Sequence, residues 1–115
     1  MTQSLIKNMN QKTVRTLVSV VAELDLTQSL PFSLQHGDEN LVMGLYKPNQ
    51  PDEQDSHEQD EYYFVASGKG SITVDDITSE VAVGDAIFVP ANANHKFVDT
   101  SRDFTCWVIF FGPKK

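Results

Sequence analysis

Two histidines and one glutamate in the second half of the chain are the residues best suited to chemistry. His57 and Glu61 are four positions apart at the end of an acidic stretch, and His95 follows the turn-forming segment Pro90–Asn94. Two imidazoles and one carboxylate are the donor set of non-haem iron sites with open coordination positions. We therefore take these three residues as candidate ligands of one divalent metal ion.

The spacing of His57 and Glu61 constrains the backbone between them. In one continuous strand their side chains would be about 13 Å apart, because a strand rises about 3.3 Å per residue. Metal bonds are only about 2.0–2.6 Å long. We therefore predict that the chain turns through Glu58-Gln59-Asp60, so that His57 ends one strand and Glu61 begins the next.

The elements that must position these residues are short strands. Apolar and β-branched runs alternate with turn formers such as Gly68-Lys69-Gly70 and Asp75-Asp76. Closely spaced short strands without helical patterns between them indicate an antiparallel sandwich or barrel. The predicted strands are Leu41–Tyr46, Tyr62–Ala66, Ser71–Val74, Ile77–Val81, Ala86–Val89, His95–Val98 and Phe104–Phe111.

The N-terminal part is less regular. Residues 1–13 are polar with no clear period, which predicts a short arm that is flexible or docks on a partner subunit, ahead of one domain over residues 14–115. Val14–Val21 is rich in β-branched residues and is interpreted as a strand, followed by a short helical turn at Ala22-Glu23-Leu24. His36 is expected on the surface, in a turn.

Composition excludes several partners. The net charge is −7 and the basic residues are scattered, which argues against nucleic-acid binding. No run approaches the roughly 18 apolar residues of a membrane helix, and Leu17–Leu24 is too short for a secretory signal. The single cysteine, Cys106, lies in an apolar run and predicts a buried thiol. We expect a cytoplasmic protein without nucleic-acid or membrane partners.

The spacing of the chemical residues resembles the two motifs of the cupin superfamily, in particular its small single-domain, cupin 2-like bacterial members. His57-x3-Glu61-x6-Gly68 is similar to the second half of the first motif, and Gly84-x5-Pro90-x-Asn92-x2-His95-x3-Asp99 follows the spacing of the second. The first motif's upstream glycine is absent at the expected distance. Asp55 replaces its leading histidine, and Asn92 and Asp99 replace a glycine and an asparagine of the second motif.

The resemblance implies an all-β fold, a single cupin jelly-roll β-barrel with a short N-terminal arm and with the ligands pointing into its interior. It also implies a divalent metal ion held by His57, Glu61 and His95, with Asp55 as a candidate fourth ligand. An oxygen-rich set favours Fe(II) or Mn(II), and Zn(II) and Ni(II) are also compatible with it.

Alternation along the strands predicts which residues line the cavity beside the metal. Tyr63 points the same way as Glu61, and Phe97 and Asp99 point the same way as His95. Tyr63, Phe97 and Asp99 are therefore candidate ligand-binding residues.

The last predicted strand is apolar on both faces, so both faces are expected to be covered. One set of side chains fills the barrel, and the other meets the N-terminal segment or a second subunit. The two sets are Phe104, Cys106, Val108 and Phe110, and Thr105, Trp107, Ile109 and Phe111. We predict a homodimer, which is the common state of small cupins.

Three functions are compatible with these residues. The first is a metal-dependent enzyme of the dioxygenase, isomerase or lyase type that acts on a small polar metabolite. The second is a non-catalytic module that binds a small molecule, and the third is a degenerate barrel without metal. One fold hosts unrelated chemistries, so fold alone does not choose among them.

Overall fold

The computed structural model describes residues 13–27 and 31–115 and contains one helix and eight strands within those ranges. The elements are α1 (Leu17–Thr27), β1 (Phe32–Gly37), β2 (Leu41–Tyr46), β3 (Asp60–Ser67), β4 (Lys69–Val74), β5 (Ile77–Ala82), β6 (Ala86–Val89), β7 (His95–Val98) and β8 (Thr105–Phe111). All seven predicted strands are confirmed, and their bounds shift by about two residues at most.

The strands form two antiparallel sheets that pack face to face. The larger sheet has the order β1-β2-β8-β3-β6, and the smaller has the order β5-β4-β7. The chain crosses between the sheets from β3 to β4, from β5 to β6, from β6 to β7 and from β7 to β8. The predicted all-β jelly roll is confirmed, although hydrogen bonding among the described residues leaves two separate sheets and not one continuous closed barrel.

Apolar side chains from both sheets form the core between them. On β3, Tyr63 and Val65 point inward, whereas Tyr62 and Phe64 are exposed on the outer face. The buried core residues are Tyr46, Tyr63, Val65, Ile72, Val81, Ile87, Val89, Ala93, Phe97, Phe104, Cys106 and Val108. Strand alternation therefore fixes which residues of β3 face the space between the sheets.

Both faces of β8 are covered. The structure shows which of the two sets of side chains from this strand fills the core. Phe104, Cys106 and Val108 point into the core, while Trp107 packs on the opposite side against α1. The predicted buried thiol is confirmed, because Cys106 is 0% exposed. Burial raises the pKa of this thiol to about 12.

The interpretation of Val14–Val21 as a strand is wrong, because most of this segment belongs to α1. One helical face has the apolar spacing i, i+3, i+4, i+7 at Leu17, Val20, Val21 and Leu24. This face packs against Leu45 and Trp107 on the outside of the larger sheet. Thr16 caps the helix, since its Oγ1 accepts a hydrogen bond from the backbone N–H of Ser19 at 3.3 Å. Packing and capping outweigh the β-branched composition.

The edge strand β1 was not predicted, and it contains His36, which the sequence had placed in a turn. The predicted turn is wrong, whereas the expected surface position is confirmed, because the side chain is 43% exposed. A bulge between Leu34 and His36 interrupts the alternation that identifies strands.

The predicted arm at residues 1–13 lies, except for Thr13, outside the described residues. Among the described residues, the helix found is too short to cross a membrane.

Candidate metal centre

His57, Glu61 and His95 come together between the two sheets. One donor atom from each side chain lies within 4.8 Å of the other two. Glu61 is 1% exposed and His95 is 2% exposed, whereas His57 is half-buried. The structure thus brings together the three residues that the sequence predicts as metal ligands.

Glu61 and His95 project toward each other from opposite sheets. Glu61 is the second residue of β3, where its backbone pairs with Val89 of β6 and Phe110 of β8. His95 is the first residue of β7 in the smaller sheet. The facing sheets bring Glu61 Oε1 to 2.9 Å from His95 Nε2.

His57 lies in the loop before β3. The chain bends at Glu58 and Gln59 as predicted, but His57 does not end a strand. Two contacts hold it in place. The backbone N–H of Asn92 donates to the His57 carbonyl oxygen at 2.6 Å, and the ring of Phe110 packs edge-on against the imidazole, with 4.9 Å between centroids. These contacts place a loop residue beside two strand residues.

Two residues differ from the second cupin motif, and both are of types that tolerate the backbone conformation found at their positions. Asn92 has a φ of 67° and Asp99 has a φ of 52°, both in the left-handed region. Apart from glycine, asparagine and aspartate are among the residues most often found there. Asn92 can therefore replace the motif glycine in the turn that leads into His95.

The second ring nitrogen of His95 fixes the orientation of its imidazole. Nδ1 lies 3.0 Å from the carbonyl oxygen of Ala93, which can only accept, so Nδ1 carries a proton and Nε2 faces Glu61. Burial alone lowers the pKa of His95, but the hydrogen bond to Glu61 and the carbonyl of Ala93 outweigh it and raise the pKa. Burial lowers the pKa of His57 despite the opposing charge of Glu61.

One oxygen of Glu61 has no hydrogen-bond partner among the residues that the structure describes. Within the described ranges, Oε2 is the buried side-chain oxygen or nitrogen that lacks a hydrogen bond. A buried carboxylate in this state is costly unless a cation or a donor reaches it.

The donor set fits a divalent cation. Metal bonds of about 2.1 Å that meet at a right angle separate two donor atoms by about 3.0 Å. The 2.9 Å between Glu61 Oε1 and His95 Nε2 matches this separation. Two imidazoles and a carboxylate with one free oxygen are suitable ligands.

Asp55 and Asp99, two further residues predicted for the site, are exposed and do not belong to this group. β7 ends at Val98, and the left-handed backbone of Asp99 interrupts the alternation on which its inward orientation was predicted. Asp55 as a metal ligand stays a prediction without support from this arrangement.

Tyr63 and Phe97 are buried beside the group, as alternation predicted. The Tyr63 hydroxyl donates to Gln54 Oε1 at 3.0 Å. Burial raises the pKa of this phenol well above its ordinary value, so the hydroxyl keeps its proton. Phe97 packs edge-on against Tyr63, with 5.0 Å between centroids. Both side chains form the inner wall of the site.

Two residues near the centre, Asp52 and Gln54, were missed by sequence reasoning. Gln54 Oε1 lies 3.0 Å from His95 Nε2 and 3.5 Å from His57 Nε2. Asp52 is buried behind Gln54 and accepts a hydrogen bond from its Nε2 at 2.7 Å. Neither residue belongs to a cupin motif, and nothing in the acidic run around them separates inward from outward side chains.

A groove leads from the surface to His57. It encloses about 360 Å³ and is lined by Val42, His57, Glu58, Gln59, Phe110 and Lys114. Since His57 belongs both to the groove and to the buried group, a small molecule in the groove would reach the group at His57.

Comparison with known proteins supports the same fold. The family model described as a cupin domain matches residues 42–111. An uncharacterised protein of Streptomyces coelicolor, SCO3923, is 43% identical over 77 residues, which cover 65% of this chain and 73% of that protein.

Solved structures are similar in fold at low sequence identity. TT1209 from Thermus thermophilus has a TM-score of 0.68 and 20% identity, with coverage of 85% of this chain and 95% of that one. The cupin superfamily protein DSY2733 from Desulfitobacterium hafniense has a TM-score of 0.61 and 18% identity, with coverage of 71% and 76%. The family match extends over more than half of the chain and includes all three candidate ligands. This protein belongs to the cupin family.

Proposed function

We propose that this cupin is a metal-dependent enzyme acting on a small polar metabolite, with a divalent cation held by His57, Glu61 and His95. Iron or manganese is favoured by the mixture of carboxylate and imidazole donors, and zinc and nickel are compatible with it. The reaction belongs to the dioxygenase, isomerase or lyase types that the cupin fold supports.

The observation that carries this proposal is the state of Glu61. Its carboxylate is almost fully buried, one oxygen faces an imidazole nitrogen, and the other has no partner among the described residues. A purely structural glutamate at such a position would be expected to have both oxygens satisfied. A cation beside it would satisfy both the charge and the unpaired oxygen.

The surrounding residues have roles that fit such a centre. A bound cation would supply Lewis-acid or redox chemistry to an oxygen of the substrate. Tyr63 keeps its proton and donates a hydrogen bond to Gln54 beside the centre, while Phe97 packs against Tyr63 on the inner side. The groove beside His57 admits a small molecule, and Val42 and Phe110 provide apolar contacts along it.

The test starts with the metal content of untagged protein as purified. Wild type is expected to carry a divalent metal, and His57→Ala and His95→Ala are expected to lose most of it. His36→Ala, a histidine change in β1 outside this group, is the matched control and should retain wild-type content. A metal-free wild type that also fails to bind added iron, manganese, zinc or nickel would leave only the degenerate barrel.

Turnover then separates an enzyme from a binding module. With iron present, oxygen consumption against a panel of small polar metabolites tests dioxygenase activity, and with another metal, isomerase and lyase assays take its place. Specific binding of a metabolite without turnover would replace the enzyme with the non-catalytic module.

The homodimer is also part of this proposal. Tyr62, Phe64 and Phe88 are each more than one-third exposed on the outer face of the larger sheet, and Tyr62 stacks on Phe111 at 5.8 Å between centroids. A second subunit would cover these rings. Light scattering should give the mass of a dimer, and a monomeric mass at micromolar concentration would contradict it. The cytoplasmic location stays a prediction.

A further inference from the structure

The side-chain carbonyl of Gln54 points toward the ring nitrogens of both candidate histidine ligands. Its Oε1 lies 3.0 Å from His95 Nε2 and 3.5 Å from His57 Nε2. The 3.0 Å distance matches the separation of about 3.0 Å expected for neighbouring donors of one cation. Amide oxygens are ordinary ligands of hard divalent cations.

The orientation of the Gln54 amide is determined by Asp52. Gln54 Nε2 lies 2.7 Å from Asp52 Oδ2, and this oxygen is an acceptor because it also receives the backbone N–H of Phe97 at 2.9 Å. The nitrogen of the amide must therefore face Asp52, which leaves the oxygen facing the histidines. If the amide were reversed, its oxygen would face the Asp52 carboxylate, and two acceptors would lie against each other.

Asp52 is itself firmly held. It is 7% exposed, its Oδ2 accepts from the backbone N–H of Phe97 at 2.9 Å, and its Oδ1 accepts from the hydroxyl of Tyr46. The backbone carbonyl of Gln54 also accepts a hydrogen bond from the Lys96 ammonium. These contacts connect the loop to β2 and β7, so the position of Gln54 Oε1 is set by the fold.

Asp55 has the opposite orientation. Burial along the loop alternates: Asp52 is buried and Gln54 is half-buried, while Glu53 and Asp55 are exposed. The cupin motif spacing selects residue 55, but the inward position belongs to residue 54.

Four nitrogen and oxygen atoms that could bind a cation lie close together. His95 Nε2 lies 2.9 Å from Glu61 Oε1 and 3.0 Å from Gln54 Oε1, and His57 Nε2 lies 3.5 Å from Gln54 Oε1. Tyr63 donates one hydrogen bond to Gln54 Oε1, which leaves that oxygen a second lone pair. Such a cluster of atoms is favourable around a cation.

We propose that Gln54 is the fourth protein ligand of the metal through its side-chain oxygen, and that Asp52 is the positioning residue that orients it. This inference rests on the proposed metal site and assigns the ligand that distinguishes this chain from the cupin motif.

The experiment is a titration of metal-free protein with Mn²⁺ by calorimetry, repeated with Co²⁺ while the visible absorption of the bound cobalt is recorded. Gln54→Ala should weaken Mn²⁺ binding by about tenfold to 100-fold, as loss of a ligand or its direct support does, and should change the cobalt spectrum. Gln54→Glu keeps an oxygen donor but loses the N–H that Asp52 accepts and sets two carboxylates against each other, so it should also bind Mn²⁺ more weakly than wild type. Asp55→Ala is the matched control and should leave both affinity and spectrum unchanged.

Asp52→Asn tests the positioning role. It should weaken Mn²⁺ binding although Asp52 does not touch the site, because the changed side chain can hydrogen-bond to either end of the Gln54 amide. Circular dichroism of the metal-free variants checks that they fold, and if Gln54→Ala does not, Gln54→Met takes its place.

The outcomes separate the two proposals. A wild type that binds neither cation overturns the metal site and this inference with it. A wild type that binds Mn²⁺, with affinity retained in Gln54→Ala, overturns the assignment of Gln54 alone, and a loss of affinity in Asp55→Ala would transfer the assignment to Asp55.

Discussion

Replacing Glu61 with glutamine should have opposite effects on the metal-free and the metal-bound protein. In the metal-free protein a carboxylate that is 1% exposed carries an oxygen without a partner among the described residues. An unsatisfied buried group costs about 1–3 kcal/mol, and more when it is charged. The introduced amide is neutral, and its N–H can donate to Nε2 of a neutral His95. Glu61→Gln should therefore raise the free energy of unfolding of the metal-free protein by about 1–3 kcal/mol at a pH above the raised pKa of His95, where the imidazole is neutral.

Adding metal should make wild type the more stable of the two proteins. A ligand present at about 1,000 times its Kd stabilises the folded state by about 4.1 kcal/mol. Wild type should gain this amount from Mn²⁺, while Glu61→Gln, which lacks the anionic ligand, should gain almost nothing. The difference between the two proteins thus depends on the metal and not on the fold.

Urea unfolding followed by circular dichroism measures both effects, first in EDTA and then with Mn²⁺. Glu58→Gln is the matched control, since it makes the same chemical change at an exposed carboxylate 3.8 Å from Lys114, where an ion pair contributes about 0–1 kcal/mol. The reasoning is refuted if Glu61→Gln destabilises the metal-free protein by more than about 1 kcal/mol, or if Mn²⁺ stabilises wild type and Glu61→Gln equally.

Two further predictions concern the core. A methyl group at Gly44 would overlap the ring of Phe32 and the carbonyl of Ser33, so Gly44→Ala should lower the free energy of unfolding by about 1–3 kcal/mol. Gly37→Ala, where the nearest side-chain carbon is 3.6 Å away, should cost much less in the same urea experiment. Burial raises the pKa of Cys106 to about 12 in the folded state, so the stability linked to this thiol is complete below its unfolded pKa of about 8.5. It should fall by about 1.4 kcal/mol per unit as pH rises toward 12. Wild type should therefore lose stability relative to Cys106→Ala above about pH 9, and a constant difference between the two across that range would contradict the shift.

The parts of the fold that sequence predicted are those where alternation and turn residues agree. β2, β6 and β7 were predicted with the bounds they have, and alternation from Glu61 placed Tyr63 inward. These strands are bounded by Gly, Pro, Asn and Asp, whose backbone preferences are local. His95 follows such a turn, so its position was also readable from the sequence.

The predictions failed where contacts between residues far apart in the sequence determine the local structure. The helical spacing in α1 is visible in the sequence, but the segment is also rich in valine, and packing on Leu45 and Trp107 adds to the local cap in selecting the helix. Along the loop before β3, no period separates Gln54 from Asp55. Gln54 points inward because its amide donates to Asp52. Asp52 in turn accepts a hydrogen bond from the backbone N–H of Phe97, 45 positions later in the chain.

The central claim, a metal held by His57, Glu61 and His95, is tested most directly by anomalous diffraction from crystals grown with Mn²⁺. We predict one anomalous peak between the sheets, at about 2.0–2.6 Å from a carboxylate oxygen of Glu61 and from one ring nitrogen of each histidine. A map from such crystals with no peak at this position, and with Glu61 paired only to His95, would contradict the claim.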